Sequence, residues 1–293
     1  MRVAVVGSNG QLGADIVSVF TSLGDEVASF THSEIELSSL ESVRSCLEGS
    51  NAEFVVNTAA MHHVEKCEQD PERAFAVNAV GARNLALVTR DMGAVVVHIS
   101  TDYVFDGAKN EPYVEGDIAL PLNVYGNSKL AGEGFVRTLN PRHFVLRTSA
   151  LYGKSPCRAK GGRNFVELML KLGRERGTVR VVDDEYVSPT STISLARQIS
   201  ALSKCDNYGL YHSTAEGSCS WYEFAWAIFA IAAPSVKVEP ALHSEFPAKV
   251  QRPRYSVLEN LGLKHQGLNV FQSWREGLVE YLCAHVDAAV NQL

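Results

Sequence analysis

At 293 residues the chain is long enough to bury a substantial core, as one large α/β domain or two smaller ones. A formal net charge of −6 and a pI near 5.9 leave no basic footprint for nucleic acid, and the longest aromatic and apolar run, residues 221–233, is interrupted by Glu223 and falls short of the ~20 residues a membrane helix requires. Six cysteines scattered without a C-x-x-C pair, and a beginning that reads as a strand rather than a charged, apolar and cleavable leader, point to a reducing cytoplasm.

Taken in order, residues 3–6 form a short apolar strand that leads directly into Gly7-Ser8-Asn9-Gly10-Gln11-Leu12-Gly13, and a helix follows over residues 11–23. Glycines let such a turn tighten and let its backbone approach a pyrophosphate, whose charge meets the free N–H groups at the start of the next helix. The G-x-x-G-x-x-G spacing differs from the G-x-G-x-x-G of the dehydrogenase fingerprint, and three glycines alone are a weak signal. Their position matters more. A glycine turn on the first strand of an alternating β/α chain is where a doubly wound sheet binds its dinucleotide. Residues 26–30, 54–60, 94–100 and 143–148 read as further strands separated by helical stretches, which implies a parallel sheet covered on both faces.

The pattern changes after Tyr152. Residues 153–162 read as a loop rich in Gly, Lys and Arg, followed by a helix over 164–172, a strand over 179–183, a helix over 192–202 and a strand over 209–213. The aromatic run reads as a buried helix ending at Pro234; a segment punctuated by Pro247 and Pro253 and a closing helix over 273–285 complete the chain. The expected fold is α/β, a Rossmann-like doubly wound parallel sheet with a smaller C-terminal α/β substrate lobe. Residues 1–152 and 190–214 are assigned to the dinucleotide-binding domain, and residues 153–189 and 215–293 to the substrate lobe.

Two stretches carry chemistry beyond the glycine turn. Tyr125 and Lys129 stand at i and i+4, so on a helix the ammonium sits one turn from the phenol. A free phenol has a pKa of ~10 and transfers protons poorly near neutrality, but a fixed positive charge favours phenolate and makes the tyrosine a tunable general acid. Ser100-Thr101-Asp102-Tyr103 precedes it on the end of a strand. By contrast His62, His63, Glu65 and Cys67 lie in a short irregular segment without recognisable ligand spacing, and no metal is expected. The basic loop with Lys154, Arg158, Lys160 and Arg163 reads either as a clamp for a diphosphate or as a solvated flexible loop.

With these residues in place the chain resembles the extended short-chain dehydrogenase/reductase superfamily and, within it, the dTDP-4-dehydrorhamnose reductase family. The likeness runs nearly end to end. It is carried by Gly10-Gln11-Leu12-Gly13, by Ser100-Thr101-Asp102-Tyr103-Val104-Phe105-Asp106-Gly107, and by Pro121-Leu122-Asn123-Val124-Tyr125-Gly126-Asn127-Ser128-Lys129-Leu130-Ala131-Gly132-Glu133. Arg147-Thr148-Ser149, Ser188-Pro189-Thr190 and Arg252-Pro253 fit as well.

The resemblance implies a nicotinamide-dependent reductase of the 4-keto group of a nucleotide-activated 6-deoxyhexose. It makes Tyr125 the proton donor, Thr101 a second hydrogen bond to the ketone oxygen, and Lys129 the holder of the nicotinamide ribose and the charge that lowers the phenol's pKa. It places cofactor contacts at Gly7, Asn9, Gly10, Gln11, Leu12, Gly13, Glu36, Leu37, Asn57, Ala59 and Ala60, besides Tyr125 and Lys129. Substrate contacts fall at Thr101, Asp102, Tyr103, Val64, Ala150 and Asn164. Thr31-His32-Ser33 offers no Asp or Glu for a ribose 2′-hydroxyl and no Arg for a 2′-phosphate, so NADP(H) is favoured and NAD(H) stays open. A nucleotide-linked keto sugar is the expected partner, nucleic acid and membrane are not, and a homodimer is left open. Two departures bear on the sugar: Ala150 stands where the family usually has a tryptophan, and Met61-His62-His63-Val64-Glu65 replaces a more usual stretch at the pocket entrance. The competing functions are a nucleotide-sugar epimerase or dehydratase on the same scaffold, and a non-catalytic subunit resembling the regulatory subunit of methionine adenosyltransferase.

Overall fold

The structure, a computed structural model, describes residues 1–157, 161–246 and 249–290. Arg158 and Lys160 of the basic loop, and Pro247, lie outside the described residues. The apolar runs of the first half form β1 (Arg2–Val6), β2 (Glu26–Phe30), β3 (Phe54–Asn57), β4 (Val95–Thr101) and β5 (His143–Thr148). Beyond them come β6 (Leu151–Tyr152), β7 (Thr178–Val182), β8 (Tyr186–Val187), β9 (Thr190–Ser191), β10 (Gly209–His212), β11 (Cys219–Ser220) and β12 (Lys237–Ala241). Helices α1 (Gln11–Ser22), α2 (Leu40–Ser50), α3 (Val64–Gln69), α4 (Pro71–Phe75), α5 (Gly81–Asp91) and α6 (Val124–Leu139) fill the first half, with a π-helical turn, Ala76–Val80, between α4 and α5. The second half adds α7 (Phe165–Arg176), α8 (Thr192–Leu202), α9 (Trp221–Ala232), α10 (Leu261–His265) and α11 (Trp274–Val290).

Six strands pair in parallel in the order β10-β5-β4-β3-β1-β2, so the chain reverses its direction of growth between β1 and β3. In an open parallel sheet the crevice at such a reversal, outside the carboxyl ends of the strands, is where ligands bind. Register brings those ends into line: Val6 pairs with Asn57, and Thr101 with Thr148. Strand alternation then divides the apolar side chains between two faces. Val3, Val5, Val56 and Val97 pack with Ile16 and Phe20 of α1 and Leu195 and Ile199 of α8. Ala4, Val6 and Val55 pack with Val43 and Leu47 of α2 and Leu85 and Val88 of α5. A strand buried on both sides has no polar face, which is why β1 and β3 read as continuous valine-rich runs.

The second lobe is built from two-stranded pieces, β7 with β12 in parallel and β8 with β11 antiparallel, under α7, α9 and α11. The aromatic helix α9 starts at a Ser220/Glu223 capping box and buries Phe224, Ala225, Ile228 and Phe229. Its other face is not buried as the sequence suggested: Trp226 is 54% and Ile231 45% exposed. Among the described residues no helix is long and apolar enough to cross a membrane.

Helix α6 lies unusually close to its neighbours because two of its positions lack a side chain. A Cβ on Gly126 would run into the Tyr103 carbonyl, and one on Gly132 into the Asn78 carbonyl. Gly134 on the same helix faces open space. The two kinds of glycine predict opposite outcomes. Gly134→Ala should stabilise the chain by up to about 1 kcal/mol through helix propensity, whereas Gly132→Ala should lose about 1–3 kcal/mol to overpacking against backbone. Urea unfolding of both variants checks this, and equal shifts would show that the close approach is not required.

Candidate active site

The glycine turn occupies the carboxyl end of β1. Gly7 takes φ +84, and a Cβ there would lie 2.7 Å from Thr58 Oγ1 and 2.9 Å from the Ala59 nitrogen; a Cβ on Gly13 would overlap the Gly7 carbonyl. Glycine is therefore required at both places, once for conformation and once for contact. The Gly7 N–H donates to Phe30 O at 2.8 Å and the Gly10 N–H to Gly7 O at 3.0 Å, which closes the turn. Helix α1 starts from Gly10 without a side-chain cap. Its first-turn N–H groups are thus available to an anion, the arrangement a dinucleotide pyrophosphate uses. The structure fits a dinucleotide at this turn. Asn9 and Gln11 are partly exposed on it, while Leu12 points into the core.

Other cofactor expectations are redistributed. The Asn57 carboxamide accepts from the Ala59 N–H at 3.1 Å, which folds the partly exposed Ala59 and Ala60 against the glycine turn. Leu37 is core, packed under Gly81, and only its carbonyl is used, by Asn84 Nδ2 at 2.9 Å. Glu36 accepts from the N–H and hydroxyl of Ser38 at 3.0 and 2.8 Å, and this backbone bond foremost holds its carboxyl below the usual range. Sequence reasoning overlooked Glu34. Its carboxylate turns back onto the Thr31 N–H and hydroxyl, both at 2.7 Å, and so stands at the end of β2 where the ribose is recognised. A residue four positions past the strand gave no signal until the turn brought it back.

The end of β4 and the start of α6 meet over this turn. The Asn123 side chain caps α6 by accepting from the Gly126 N–H at 2.9 Å, and so directs Tyr125 from the helix's first turn. The Thr101 hydroxyl is close enough to the Tyr125 phenol to act on it, and the ring of Tyr125 meets that of Tyr103 edge-on, centroids 5.9 Å apart. Asp102 does not face the cleft. It is 4% exposed and accepts from Thr101 at 3.0 Å, Ser149 at 2.8 Å and Ser256 at 2.6 Å. Burial nevertheless pushes its carboxyl up. The residue expected to shape a sugar site instead anchors the threonine.

Lys129 also departs from expectation. Its Nζ lies 3.4 Å from His98 Nε2, and the residue is 2% exposed. Burial drives the Tyr125 phenol up rather than down; Thr101 opposes this, and Lys129 is not among the groups acting on it. The physical reason is direction. Gly132, on the same helix, lets α6 approach His98 closely, and the lysine side chain runs to that β4 residue and not to the phenol. Burial in turn lowers Lys129 to about 8.

On the far side of the cleft, the π-helical turn supplies Asn78, whose carboxamide clamps both the N–H and carbonyl of Met61 and donates to Ser128 at 2.9 Å. That fixes the 61–64 segment, with Val64 partly exposed at the start of α3, against α6. Glu65 pairs with Arg252 from the second lobe. Ala150, partly exposed, takes φ +44, which only glycine adopts freely. Asn164 caps α7 in a capping box and donates to Gly153 O at 2.9 Å and Tyr281 at 3.0 Å; it is 3% exposed, so its amide is committed to the fold at the joint with Gln11. Among the described residues no group of three or more His, Cys, Asp or Glu could hold a metal ion.

A family model described as the RmlD substrate binding domain matches residues 1–286. The spore coat polysaccharide biosynthesis protein SpsK of Bacillus subtilis is 38% identical over 281 residues, covering 96% of this chain and 96% of that protein. A dTDP-4-keto-6-deoxy-D-glucose reductase of Streptomyces niveus is 36% identical over 281 residues, covering 95% and 96%. Among solved structures, a dTDP-4-dehydrorhamnose reductase from Bacillus anthracis in complex with NADP superposes with a TM-score of 0.92 at 37% identity, covering 97% of this chain and 99% of that one.

The anchor under Thr101 has a pH signature. Because the folded-state pKa of Asp102 is raised, its ionisation opposes folding, and stability on this account is greatest below the unfolded value of ~3.9 and falls as pH rises through the folded one. Asp102→Asn cannot ionise and should escape that fall, so its thermal midpoint should gain on wild type between pH 4 and 7 while turnover drops. A variant that instead loses ground as pH rises would mean that the three hydroxyls outweigh burial.

Proposed function

Since the chain belongs to the family of the RmlD substrate binding domain and is an NAD(P)-dependent reductase of that short-chain-dehydrogenase-like kind, we propose that it reduces the 4-keto group of a dTDP-linked 4-keto-6-deoxyhexose. One observation carries this reading: Tyr125 and Thr101 are neighbours at the carboxyl end of the sheet that also presents the glycine turn. A bound nicotinamide supplies the hydride. The residues of the chain do the rest. A ketone oxygen seated beside Tyr125 accepts a hydrogen bond from the phenol, a donor in place before negative charge grows on it, and Thr101 becomes the second donor when its one proton turns from Asp102 to that oxygen. Burial keeps the Tyr125 phenol protonated, which suits a donor; it releases its proton to that oxygen as the carbon is reduced. Before substrate binds, Asp102 accepts the threonine proton and so holds that side chain in position.

Thr31, His32 and Ser33 favour NADP(H), and a relative of known structure is in complex with NADP. The Glu34 carboxylate, already bonded to Thr31, is the group that would oppose a 2′-phosphate. The six cysteines are all free, which supports a reducing compartment such as the cytoplasm.

The test is a spectrophotometric assay with dTDP-4-keto-6-deoxy sugars, run in parallel with NADPH and NADH. Wild type should consume NADPH at least as well as NADH. Tyr125→Phe should reduce turnover by ~10²-fold or more while cofactor Kd changes little. An active Tyr125→Phe enzyme would remove the phenol from the mechanism, and marked preference for NADH would show that Glu34 governs the ribose site.

The sugar is addressed at Ala150. A tryptophan there would present ~150–250 Å² of stacking surface and would bear no backbone penalty that alanine does not already bear at φ +44. Ala150→Trp should therefore change kcat/KM for two keto-sugar nucleotides of different bulk unequally, with cofactor Kd nearly constant. Equal effects on both sugars would place Ala150 outside the pocket.

A further inference from the structure

Beneath the reaction site a polar chain crosses three elements: Asn57 at the end of β3, His98 within β4 and Lys129 on α6. The Asn57 oxygen is taken by the Ala59 N–H at 3.1 Å, so its nitrogen, which can only donate, faces His98 Nδ1 at 3.1 Å. That ring nitrogen must accept. A neutral imidazole then carries its proton on Nε2, and Nε2 lies 3.4 Å from Lys129 Nζ. An N–H aimed at an ammonium repels it, whereas aimed at a free amine it forms a hydrogen bond. Asn57, His98 and Lys129 are 2%, 1% and 2% exposed, so bulk solvent does not relieve the conflict.

The neighbours agree. Burial holds the His98 ring neutral and drives Lys129 down to about 8. Glu133, one turn further along α6, is the carboxylate that favours the ammonium, but its oxygens already accept from Arg147 at 2.9 and 2.7 Å and from Ser100 at 2.5 Å. Gly132 permits the contact, since a Cβ there would lie 3.3 Å from His98 Nε2.

We infer that His98 is a positioning residue for the reduction: held by Asn57, it fixes where the Lys129 amine points and presents to it a ring N–H that favours the uncharged amine. This deepens the reductase reading and rests on it.

Nitrogen NMR of histidine-labelled protein reads the tautomer without any turnover. His98 should appear neutral with the proton on Nε2, and Asn57→Asp, whose carboxylate must accept from Nδ1–H, should invert it. An imidazolium, or an Nδ1–H ring in wild type, overturns the inference even if the protein reduces keto sugars. In the assay, His98→Leu should lower kcat/KM about 10-fold in wild type but by less than about twofold when Lys129 is already Met, because groups that act through one another are not additive. Equal losses in both backgrounds would make His98 merely structural. If wild type reduces no keto sugar while the NMR result holds, the reductase reading fails and His98 keeps only its hold on Lys129.

Discussion

The site depends on how closely α6 can lie against the carboxyl end of β4. Two missing side chains permit that approach, at Gly126 over Tyr103 and at Gly132 over Asn78. A buried ion pair locks it: Glu133 of α6 accepts two hydrogen bonds from Arg147 of β5, and a third from Ser100 of β4. Removing one partner of such a pair leaves an uncompensated buried charge, at a cost of about 3–5 kcal/mol. Helix and sheet are thus held at one spacing, and that spacing sets where Tyr125 and Lys129 reach. The phenol comes to Thr101 and the amine to His98.

The two lobes are tied together at the same edge, by side chains that also order the site. Ser256 reaches across to the Asp102 carboxylate that holds Thr101. Arg252 pairs with Glu65, beside the segment that Asn78 clamps, and the Gln251 carbonyl accepts from the Asn123 that caps α6. Asn164 joins α7 to Gln11 at the glycine turn. Each crossing contact ends beside Thr101, the start of α6, the 61–64 segment or the glycine turn. Movement of the second lobe would therefore be felt at Thr101 and at α1, although neither touches that lobe's core.

Burial is the stronger term in the electrostatics. The sequence suggested a lysine charge lowering a tyrosine; in the folded chain desolvation acts on both and moves them toward their neutral forms, the phenol up and the amine down. A phenol that keeps its proton is suited to donate it. The surrounding carboxylates follow the same logic: Asp102 survives inside because three hydroxyls meet it, and Glu133 because a guanidinium does.

What was legible in the sequence is local. Periodicity showed strands and helices, the glycine spacing showed a turn with an open helix start, and the Thr101 run and the start of α6 marked the stretches from which Tyr125 and Thr101 are proposed to act, because each of these is dictated by neighbours a few residues apart. Three things were decided only in three dimensions. Asp102 and Asn164 turned inward because their partners, Ser149, Ser256 and Tyr281, come from distant parts of the chain. Glu34 came to the end of β2 only when the turn folded its carboxylate back onto Thr31. Above all, His98 reads in the sequence as one more residue of a buried strand. Its link to Asn57 and Lys129 exists because parallel pairing brings β3 beside β4 and glycine lets α6 press down on both. Contacts between residues dozens of positions apart leave no periodic trace, so tertiary packing alone could assign them.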